Sequence, residues 1–375
     1  MQMSKIIQKL FNRLNPQKRA PADPYSSNEE FLEDVYNKIL GRGVDEIGKA
    51  HYLSHLEKGN SRISVVLDII KSEEFINKVV RENLPLPPIK KERPANYELS
   101  FDIHKKEEVW IFKVKDMADF DWLESRTIES GYYEKPGVWS LQISEDKRLM
   151  AEIAAVFQPQ IVLDIGCANG PIMKCLKDLG IDSEGIDISR LAVAKAFPEI
   201  EEKIHLGDIL DVELNRTYDV ILGLDIFEHL NPNKLNDYIS RINDLLEDSG
   251  YLYCNIPAFG PDPLFGEIFR VYLKEWEKDL LQKRCFRTIH VDNHGFPENG
   301  HIIGADSEWW VLQFESFGLK REKEIEKALH RTYDCAIERI HIARKAFYVF
   351  SKRADQEKNQ RIIQSLGTEN PARRE

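Results

Sequence analysis

From about residue 144 onwards, short apolar runs alternate with segments whose apolar residues recur every three or four positions. The apolar runs predict strands: Ile161–Leu163, the run ending in GIDIS, the run that reaches HLGDIL, and the segments YDVILGL and YLYCNIP. Helical spacing lies between them, for example at Leu235, Tyr238 and Ile242, and it stops at Gly250. This alternation predicts an α/β domain with a Rossmann-like, doubly wound parallel sheet. FESFGL and AFYVFSKR indicate the surroundings of the last two strands, the second of which is expected to be antiparallel.

A different pattern precedes this region. Residues 28–82 carry three stretches with helical spacing, separated by GRG at 41–43 and by Gly59, which predicts a small all-α domain. The proline-rich segment LPLPPIKKERP, residues 84–94, predicts a stiff exposed linker. The predicted order is a basic leader (1–24), a small helical domain (25–83), a linker and connecting segment (84–129), a large α/β domain (130–352) and a tail or short exposed helix (353–375).

The charge is unevenly distributed along the chain. It totals 52 basic and 63 acidic residues, net −11 at pH 7, so we expect no nucleic-acid partner. The first twenty residues, in contrast, hold five lysines and arginines and no acid, and residues 4–14 place apolar side chains on one side of a short helix. This leader predicts weak peripheral contact with anionic lipid at the inner face of a membrane, and the alternative is a frayed leader.

The cysteines and the hydropathy of the chain restrict the cellular compartments in which the protein is expected. The five cysteines include no C-x-x-C pair, which favours reduced thiols in a cytoplasm over a disulfide framework or a structural zinc site. No apolar run approaches the ~20 residues needed to span a bilayer. A cytoplasmic location is therefore expected.

The stretch IVLDIGCANGPIMKCL, residues 161–176, has the pattern of a nucleotide-binding turn between a strand and a helix. A dinucleotide fold requires G-x-G-x-x-G, whereas this spacing is D-x-G-x-A-x-G. Asp164 would repel a pyrophosphate at this turn. A ligand with a cationic group, such as the α-ammonium of S-adenosylmethionine, would instead pair with it.

The following strand ends carry acids in fitting positions. Asp187, in GIDIS, comes 21 residues after Gly166, where an acid can accept hydrogen bonds from both ribose hydroxyls. Asp208, in GDIL, is placed to bond an adenine amine, with Ile209 against the ring. Turn and capping acids in an unrelated α/β domain are the alternative explanation.

With these four segments (VLDIGCANG, GIDIS, GDIL and YDVILGLDIFEHL) the chain resembles the class I S-adenosylmethionine-dependent methyltransferases over about residues 130–352. The resemblance implies one sheet with an antiparallel last strand and one cofactor, S-adenosylmethionine. The family usually has glycine where this chain has Ala168. The implied cofactor contacts are Asp164, Gly166, Cys167, Ala168 and Gly170 for the methionine part, Asp187 and Ile188 for the ribose, Asp208 and Ile209 for the adenine, and Leu224 near the sulfonium.

The helical module has a resemblance of its own. L-G-R, the D-x-x-G of Asp45–Gly48 and the S-x-E-F of Ser72–Phe75 are similar to a small helical family of unknown function, which itself resembles phycobilisome linker domains. That family is often attached to bacterial glycosyltransferases and envelope proteins. The resemblance implies docking on a protein partner through residues 28–82, and a plain packing domain would explain the same residues.

Chemistry is expected after the strand YDVILGL. Methyl transfer to oxygen needs a base for the acceptor's proton, and DIFEHL supplies Glu228 and His229, with His290, His294 and His301 further along. We predict Glu228, His229 and His301 as catalytic, with His229 or His301 as a base that titrates near ~6.5. DIFEHL and the histidines after it resemble O-methyltransferases of sugars and quinones, and less closely the metal-assisted small-RNA methyltransferases. If the second resemblance holds, Asp225, Glu228 and His229 would share one helix face and hold a divalent metal. A purely structural role of these residues is the third alternative.

The acceptor is expected to meet aromatic side chains. Phe265, Phe269, Tyr272 and Trp276 follow helical spacing in the insert 258–289, as a packed helix or as a lid. Aromatic rings beside acids and histidines suit a sugar, and the upstream set Tyr132, Tyr133 and Trp139 predicts either an entry flap or core packing. The resulting prediction is O-methylation of a sugar of a bacterial surface polysaccharide or its lipid-linked precursor. The alternatives are a small-RNA or quinone-type methyltransferase and a non-catalytic, cofactor-binding scaffold.

Overall fold

The computed structural model describes residues 25–40, 42–72, 95–135 and 141–368. The chain forms two compact units, residues 1–88 and 89–375. The leader, the linker 84–94 and Trp139 lie outside the described residues, so the predictions about them stay predictions.

The secondary structure follows the predicted alternation. The helices are α1 (Asn28–Ile39), α2 (Glu46–Glu57), α3 (Arg62–Lys71), α4 (Ala118–Glu129), α5 (Glu145–Val156), α6 (Pro171–Asp178), α7 (Arg190–Val193), α8 (Leu235–Leu245), α9 (Phe265–Ile268), α10 (Trp276–Leu281), α11 (Ser307–Glu315), α12 (Lys323–Ile340) and α13 (Gln356–Thr368). The strands are β1 (Tyr97–Asp102), β2 (Glu107–Lys113), β3 (Ile161–Ile165), β4 (Asp182–Asp187), β5 (Ile204–Leu206), β6 (Tyr218–Leu224), β7 (Leu246–Asn255), β8 (Thr288–Val291), β9 (Lys320–Arg321) and β10 (Phe347–Ser351). No described helix is long and apolar enough to cross a bilayer.

The first unit contains the three predicted helices, α1 to α3. Each begins at a side chain that caps its free amides, Ser27, Asp45 and Ser61 in turn. The core consists of buried apolar residues of α1 and α3, among them Phe31 and Val65. The D-x-x-G motif therefore has a structural role: Asp45 caps α2, and at Gly48 a Cβ would overlap the hydroxyl of Tyr36.

The second unit is built on a seven-stranded sheet of order β5-β4-β3-β6-β7-β10-β9. The strands β3 to β7 are parallel, and β10 is antiparallel to both of its neighbours. Apolar clusters cover both faces, one with α8 and α11 and the other with α5, α6 and α12. The predicted doubly wound α/β class and its antiparallel last strand are confirmed.

The structure differs from the predicted organisation in three segments. Residues 356–368 are not an exposed tail, because α13 packs Ile362 and Leu366 into the cluster beside α12. Residues 97–129 are not a connecting segment, since β1, β2 and β8 form a second, antiparallel sheet and α4 packs Phe120 and Leu123 against it. The insert 258–289 does not form one helix either: α9 and α10 are short, and Phe269 between them has non-helical backbone angles (φ −112°, ψ 81°).

Candidate active site

A cavity of about 200 Å³ opens among the carboxyl ends of β3, β4, β5 and β6, the edge at which doubly wound sheets bind ligands. We call it the first cavity. The charged residues of its described lining are four acids, with no lysine or arginine: Glu124, Asp187, Asp208 and Asp225. Such a lining favours a ligand that carries positive charge and no phosphate.

The turn after β3 forms one wall of the first cavity. Gly166, Ala168 and Gly170 all have positive φ, 75°, 52° and 80°. At Gly170 a Cβ would overlap the side chain of Ile200, so the turn needs glycine there. Ala168 takes the left-handed conformation at a cost of about 1–2 kcal/mol. Its amide donates to the carboxylate of Asp187 over 2.8 Å, which ties the turn to the end of β4.

The predicted cofactor residues divide into two groups. Those that line the first cavity are Gly166, Ala168, Asp187, Ile188, Asp208 and Ile209. Asp164, Cys167, Gly170 and Leu224 are not part of that lining, and their cofactor contacts stay predictions. The reason is packing: Cys167 belongs to a cluster with Ile200 beneath the turn, and Leu224 packs against the apolar cluster on the α5 face.

Asp164 lies within β3 under the turn and is 3 % exposed. Burial raises the pKa of this carboxyl to about 7, although the nearby Lys147 opposes the rise. Asp164 therefore takes up or releases a proton near neutral pH. A cation bound near the turn would favour its ionised form.

Two acids at the next strand ends are fixed by hydrogen bonds. Asp187 accepts from the amides of Ala168 and Ser189, and burial raises its pKa. Asp208 accepts from the amide of Leu210 and, over 2.5 Å, from the hydroxyl of Tyr238 on α8. Both carboxylates are held in place and have remaining acceptor capacity for a ligand.

The predicted metal set does not assemble around Asp225. This residue follows β6 with a φ of 54°, and its carboxylate accepts from Nη1 of Arg344 over 2.5 Å. Arg344 also donates to Asp146. Asp225, Glu228 and His229 do not share a helix face, because residues 227–229 form a single 3-10 turn.

Glu228, His229 and His301 come together instead, with one possible ligand atom of each within 4.8 Å of the others. Glu228 is 1 % exposed, and neither carboxylate oxygen has a hydrogen-bond partner among the described residues. His301 places Nε2 3.9 Å from Oε1 of Glu228. We call these three residues the central triad. The amides of Ile302 and Ile303 donate to the backbone oxygen of Glu228, which fixes the 301–303 segment against the turn.

The protonation of the central triad follows from burial. Burial raises the pKa of Glu228 well above its usual range and lowers the pKa of both histidines, that of His301 to about 3. Both pKa values lie below the expected histidine titration near ~6.5, which stays a prediction for the enzyme with its ligands bound. Nδ1 of His229 lies 3.1 Å from the carbonyl oxygen of Gly300 and must donate to it, so Nε2 keeps its lone pair. Such a set can receive a proton, and it could also hold a divalent ion.

A smaller cavity of about 50 Å³ lies on the other side of the central triad. His301 contributes to its wall, while His229, whose ring centroid is 5.0 Å from that of His301, lines the first cavity. We call it the second cavity. Its aromatic and polar lining consists of Phe259, Tyr272, Trp276, Phe286, Thr288, His290, Glu298, Asn299 and His301. Of the two other histidines considered, His290 thus lies at a cavity and His294 is exposed.

Sequence patterns missed several lining residues. Glu124, Thr127 and Ile128 lie on α4, in the segment predicted to be a connector, and Tyr238 had been assigned to the packed face of α8. Only Tyr133 carried a signal, as part of the predicted aromatic flap, and it does line the first cavity. The other missed residues lie on elements far away in the sequence, so no motif spacing could have identified them as lining residues.

Comparisons with known proteins bear on both units. A family model described as a methyltransferase domain matches residues 142–324, and one described as a domain of unknown function (DUF4214) matches residues 22–79. The second match gives the helical domain no function, so its likeness to phycobilisome linkers stays a prediction.

Individual relatives are distant. The sphingolipid C9-methyltransferase 1 of Gibberella zeae is 23% identical over 131 residues, which cover 32% of this chain and 26% of that protein. The mitochondrial ubiquinone biosynthesis O-methyltransferase of Schizosaccharomyces pombe is 24% identical over 159 residues, 40% of this chain and 52% of that protein. The chain thus matches about a quarter to half of the length of these relatives. A solved 1,6-didemethyltoxoflavin-N1-methyltransferase of Burkholderia thailandensis aligns with 66% of this chain and 96% of its own, at 11% identity and a TM-score of 0.41.

Proposed function

We propose that this protein O-methylates a sugar of a bacterial surface polysaccharide or of its lipid-linked precursor, on the cytoplasmic side of the membrane. The premise is that residues 142–324 are a methyltransferase domain and that S-adenosylmethionine is its cofactor, as predicted. The substrate, the location and the residue roles given below belong to the proposal.

The first cavity would hold the cofactor, which supplies an electrophilic methyl group when bound. Asp187 would accept from the ribose hydroxyls, and Asp208 with Ile209 would hold the adenine. Gly166 and Ala168 would border the methionine part, with Asp164 beneath them. The observation that carries this assignment is the acidic lining, which contains no lysine or arginine among the described residues. Lys234 and Arg344 pair with Glu124 and Asp225 from outside the lining. Asp187 and Asp208 have no ion pair in the described part of the chain, which fits a cationic ligand without phosphate.

The central triad would manage the acceptor's proton. As the oxygen of the acceptor is methylated, its proton would pass to Nε2 of His301 or of His229, since both rings are neutral. Oε1 of Glu228, 3.9 Å from Nε2 of His301, would stabilise the imidazolium that forms when that carboxyl is ionised. A positioned base contributes roughly 10²–10⁴-fold to the rate when its pKa lies near the operating pH, so the proposal requires that ionised Glu228 and the bound ligands raise the pKa of His301 from about 3.

The substrate class has indirect support. The aromatic and polar lining of the second cavity suits a ring with an apolar face and a hydroxylated edge. The resemblance of residues 28–82 to domains attached to glycosyltransferases supports a role in glycan assembly, as an association only. The net charge of −11 opposes the small-RNA alternative.

Mass spectrometry of surface glycans tests the proposal directly. Cells without the gene should lack one methyl group that cells with the gene carry, and the intact gene should restore it while a His301→Ala copy should not. Unchanged glycans, together with methylation of extracted RNA or quinone precursors by the purified protein, would overturn the sugar assignment. Tight cofactor binding without turnover on any of these would support the scaffold alternative.

A further inference from the structure

The second cavity differs from a general sugar site in one respect, its charge. Its described lining contains a single charged side chain, the carboxylate of Glu298, and no lysine or arginine. The backbone oxygen of Glu298 accepts from the amide of His301, but its side-chain carboxylate makes no hydrogen bond and no ion pair within the described part of the chain. A carboxylate left without a partner at the wall of a cavity favours a cationic ligand.

The aromatic walls of the second cavity favour the same charge. Trp276 stacks on Phe286 with ring centroids 4.5 Å apart, and Phe259 and Tyr272 meet Trp276 edge-on at 4.9 and 4.5 Å. Trp276 cannot turn freely, because its indole N–H donates to the backbone oxygen of Thr288 over 2.7 Å. Fixed aromatic rings attract a cation through their electron-rich faces and also cover the apolar face of a sugar ring.

A neutral polar edge completes the second cavity. Nδ1 of His290 lies 3.1 Å from the hydroxyl of Tyr272. Burial lowers the pKa of His290 and raises that of Tyr272, so both groups are neutral and can exchange hydrogen bonds with sugar hydroxyls. His301 closes the cavity towards the central triad.

We propose that the second cavity is the acceptor subsite and that it selects an amino sugar with a free amine. This inference rests on the proposed function. The ammonium lies beside Glu298 and the aromatic rings, and the hydroxyl edge faces His290 and His301. With about 50 Å³, a quarter of the first cavity's 200 Å³, the second cavity has no room for an extended glycan.

The test compares four small probes on the full-length protein loaded with S-adenosylhomocysteine, each titrated by NMR at millimolar concentration. We expect D-glucosamine to bind about tenfold more tightly than D-glucose and N-acetyl-D-glucosamine, which lack the ammonium. Cyclohexylamine has the ammonium and an apolar ring but no hydroxyls, and it should bind more weakly than D-glucosamine. The amino-sugar assignment would be overturned if D-glucosamine and D-glucose bound equally tightly, or if neither bound. It would also be overturned if cyclohexylamine bound as tightly as D-glucosamine, because the site would then recognise only an amine.

Paired variants locate the selectivity. Glu298→Gln should reduce the preference for D-glucosamine to about twofold or less, whereas Glu308→Gln, which removes an exposed carboxylate of α11, should keep it. A preference that survives Glu298→Gln would place the ammonium elsewhere and overturn the proposal. Calorimetry with S-adenosylmethionine on the same proteins, free of S-adenosylhomocysteine, distinguishes failure of the subsite from failure of the proposed function. If the unmodified protein binds the cofactor but shows no preference for D-glucosamine, the acceptor subsite alone is contradicted, whereas failure of the unmodified protein to bind the cofactor contradicts the proposed function.

Discussion

The two cavities on either side of the central triad are built in different ways. The first collects its wall from the ends of four parallel strands and from α4 and α8, elements that are far apart in the sequence. The second is lined entirely by residues between 259 and 304, one segment that leaves the sheet after β7 and returns before α11. A regular sheet thus supports one cavity, and aromatic packing within an irregular segment supports the other.

The difference separates a geometry that is fixed by backbone hydrogen bonds from one that depends on side-chain contacts. Strand ends are fixed by backbone hydrogen bonds of the sheet, so the acids at those ends have little freedom. The 259–304 segment depends on side-chain contacts such as Trp276 on Phe286, and on β8, which pairs with β2 of the second sheet. Substitutions in that segment can therefore change the acceptor while the first cavity stays intact, except at Ile302, which also lines the first cavity.

The largest expected effect is a loss of turnover on substitution of His301, which belongs to the central triad between the two cavities. His301→Ala should lower kcat by about 10²–10³-fold, because the acceptor's proton loses its base, while affinity for S-adenosylmethionine stays within about twofold. Turnover kinetics and calorimetry measure the two quantities. His294→Ala, an exposed histidine seven positions earlier, is the matched control and should leave both unchanged. Full activity in a variant that lacks both His229 and His301 would remove the central triad from the chemistry.

The next effect belongs to the first cavity alone. Asp187→Ala should weaken binding of S-adenosylmethionine by about 1.5–3 kcal/mol, the range for hydrogen bonds to a charged group. Asp182→Ala provides the comparison, since Asp182 begins the same strand and pairs with Lys203 at the surface. Calorimetry should detect the loss only for Asp187→Ala, with both variants folded by circular dichroism. Unchanged affinity would exclude Asp187 from the cofactor site.

A smaller effect appears as a pH dependence of the same binding. Because the pKa of Asp164 is raised to about 7, this carboxyl is protonated at lower pH and then places no negative charge beneath the turn that borders the first cavity. Affinity for S-adenosylmethionine should therefore rise by up to about tenfold per pH unit below 7 and level off above it. In Asp164→Asn the slope should be reduced to the part that the raised pKa of Asp187 contributes.

The same group affects stability with a definite sign. The folded protein binds the proton of Asp164 more tightly than the unfolded chain does, since the pKa is raised from 3.8 to about 7. The free energy of unfolding should therefore fall as the pH rises between these values. Denaturant titrations that show the opposite slope, and lose it in Asp164→Asn, would contradict the assigned shift.

The smallest effect concerns metal. If the central triad works by proton transfer alone, EDTA should change kcat by less than about twofold, within the error of such assays. If activity is lost in EDTA and returns with Mg²⁺ or Mn²⁺, the unpaired carboxylate of Glu228 and the two histidines hold an ion instead. A Glu228→Gln variant should abolish the metal response in that case.

Much of the first cavity was predictable because its residues follow short-range rules. The D-x-G-x-A-x-G turn needs positive φ at fixed places, and Gly166 and Gly170 have it. Asp187 and Asp208 follow strands whose apolar runs are visible in the sequence, and parallel strands bring their carboxyl ends to one edge. The sequence patterns therefore determined the α/β class, the sheet, the small all-α domain and the acids at the strand ends.

Tertiary structure decided what depends on contacts between distant segments. Asp225 fits a metal pattern in the sequence, yet Arg344, 119 residues later, takes up its carboxylate. Glu228 and His301 lie 73 positions apart, so no spacing could bring them into one triad. Residues 356–368 look like a tail until Ile362 and Leu366 meet α12 and α5. Burial also sets the pKa of Asp164, Glu228 and His301, and burial is a property of the packed molecule that the order of residues does not carry by itself.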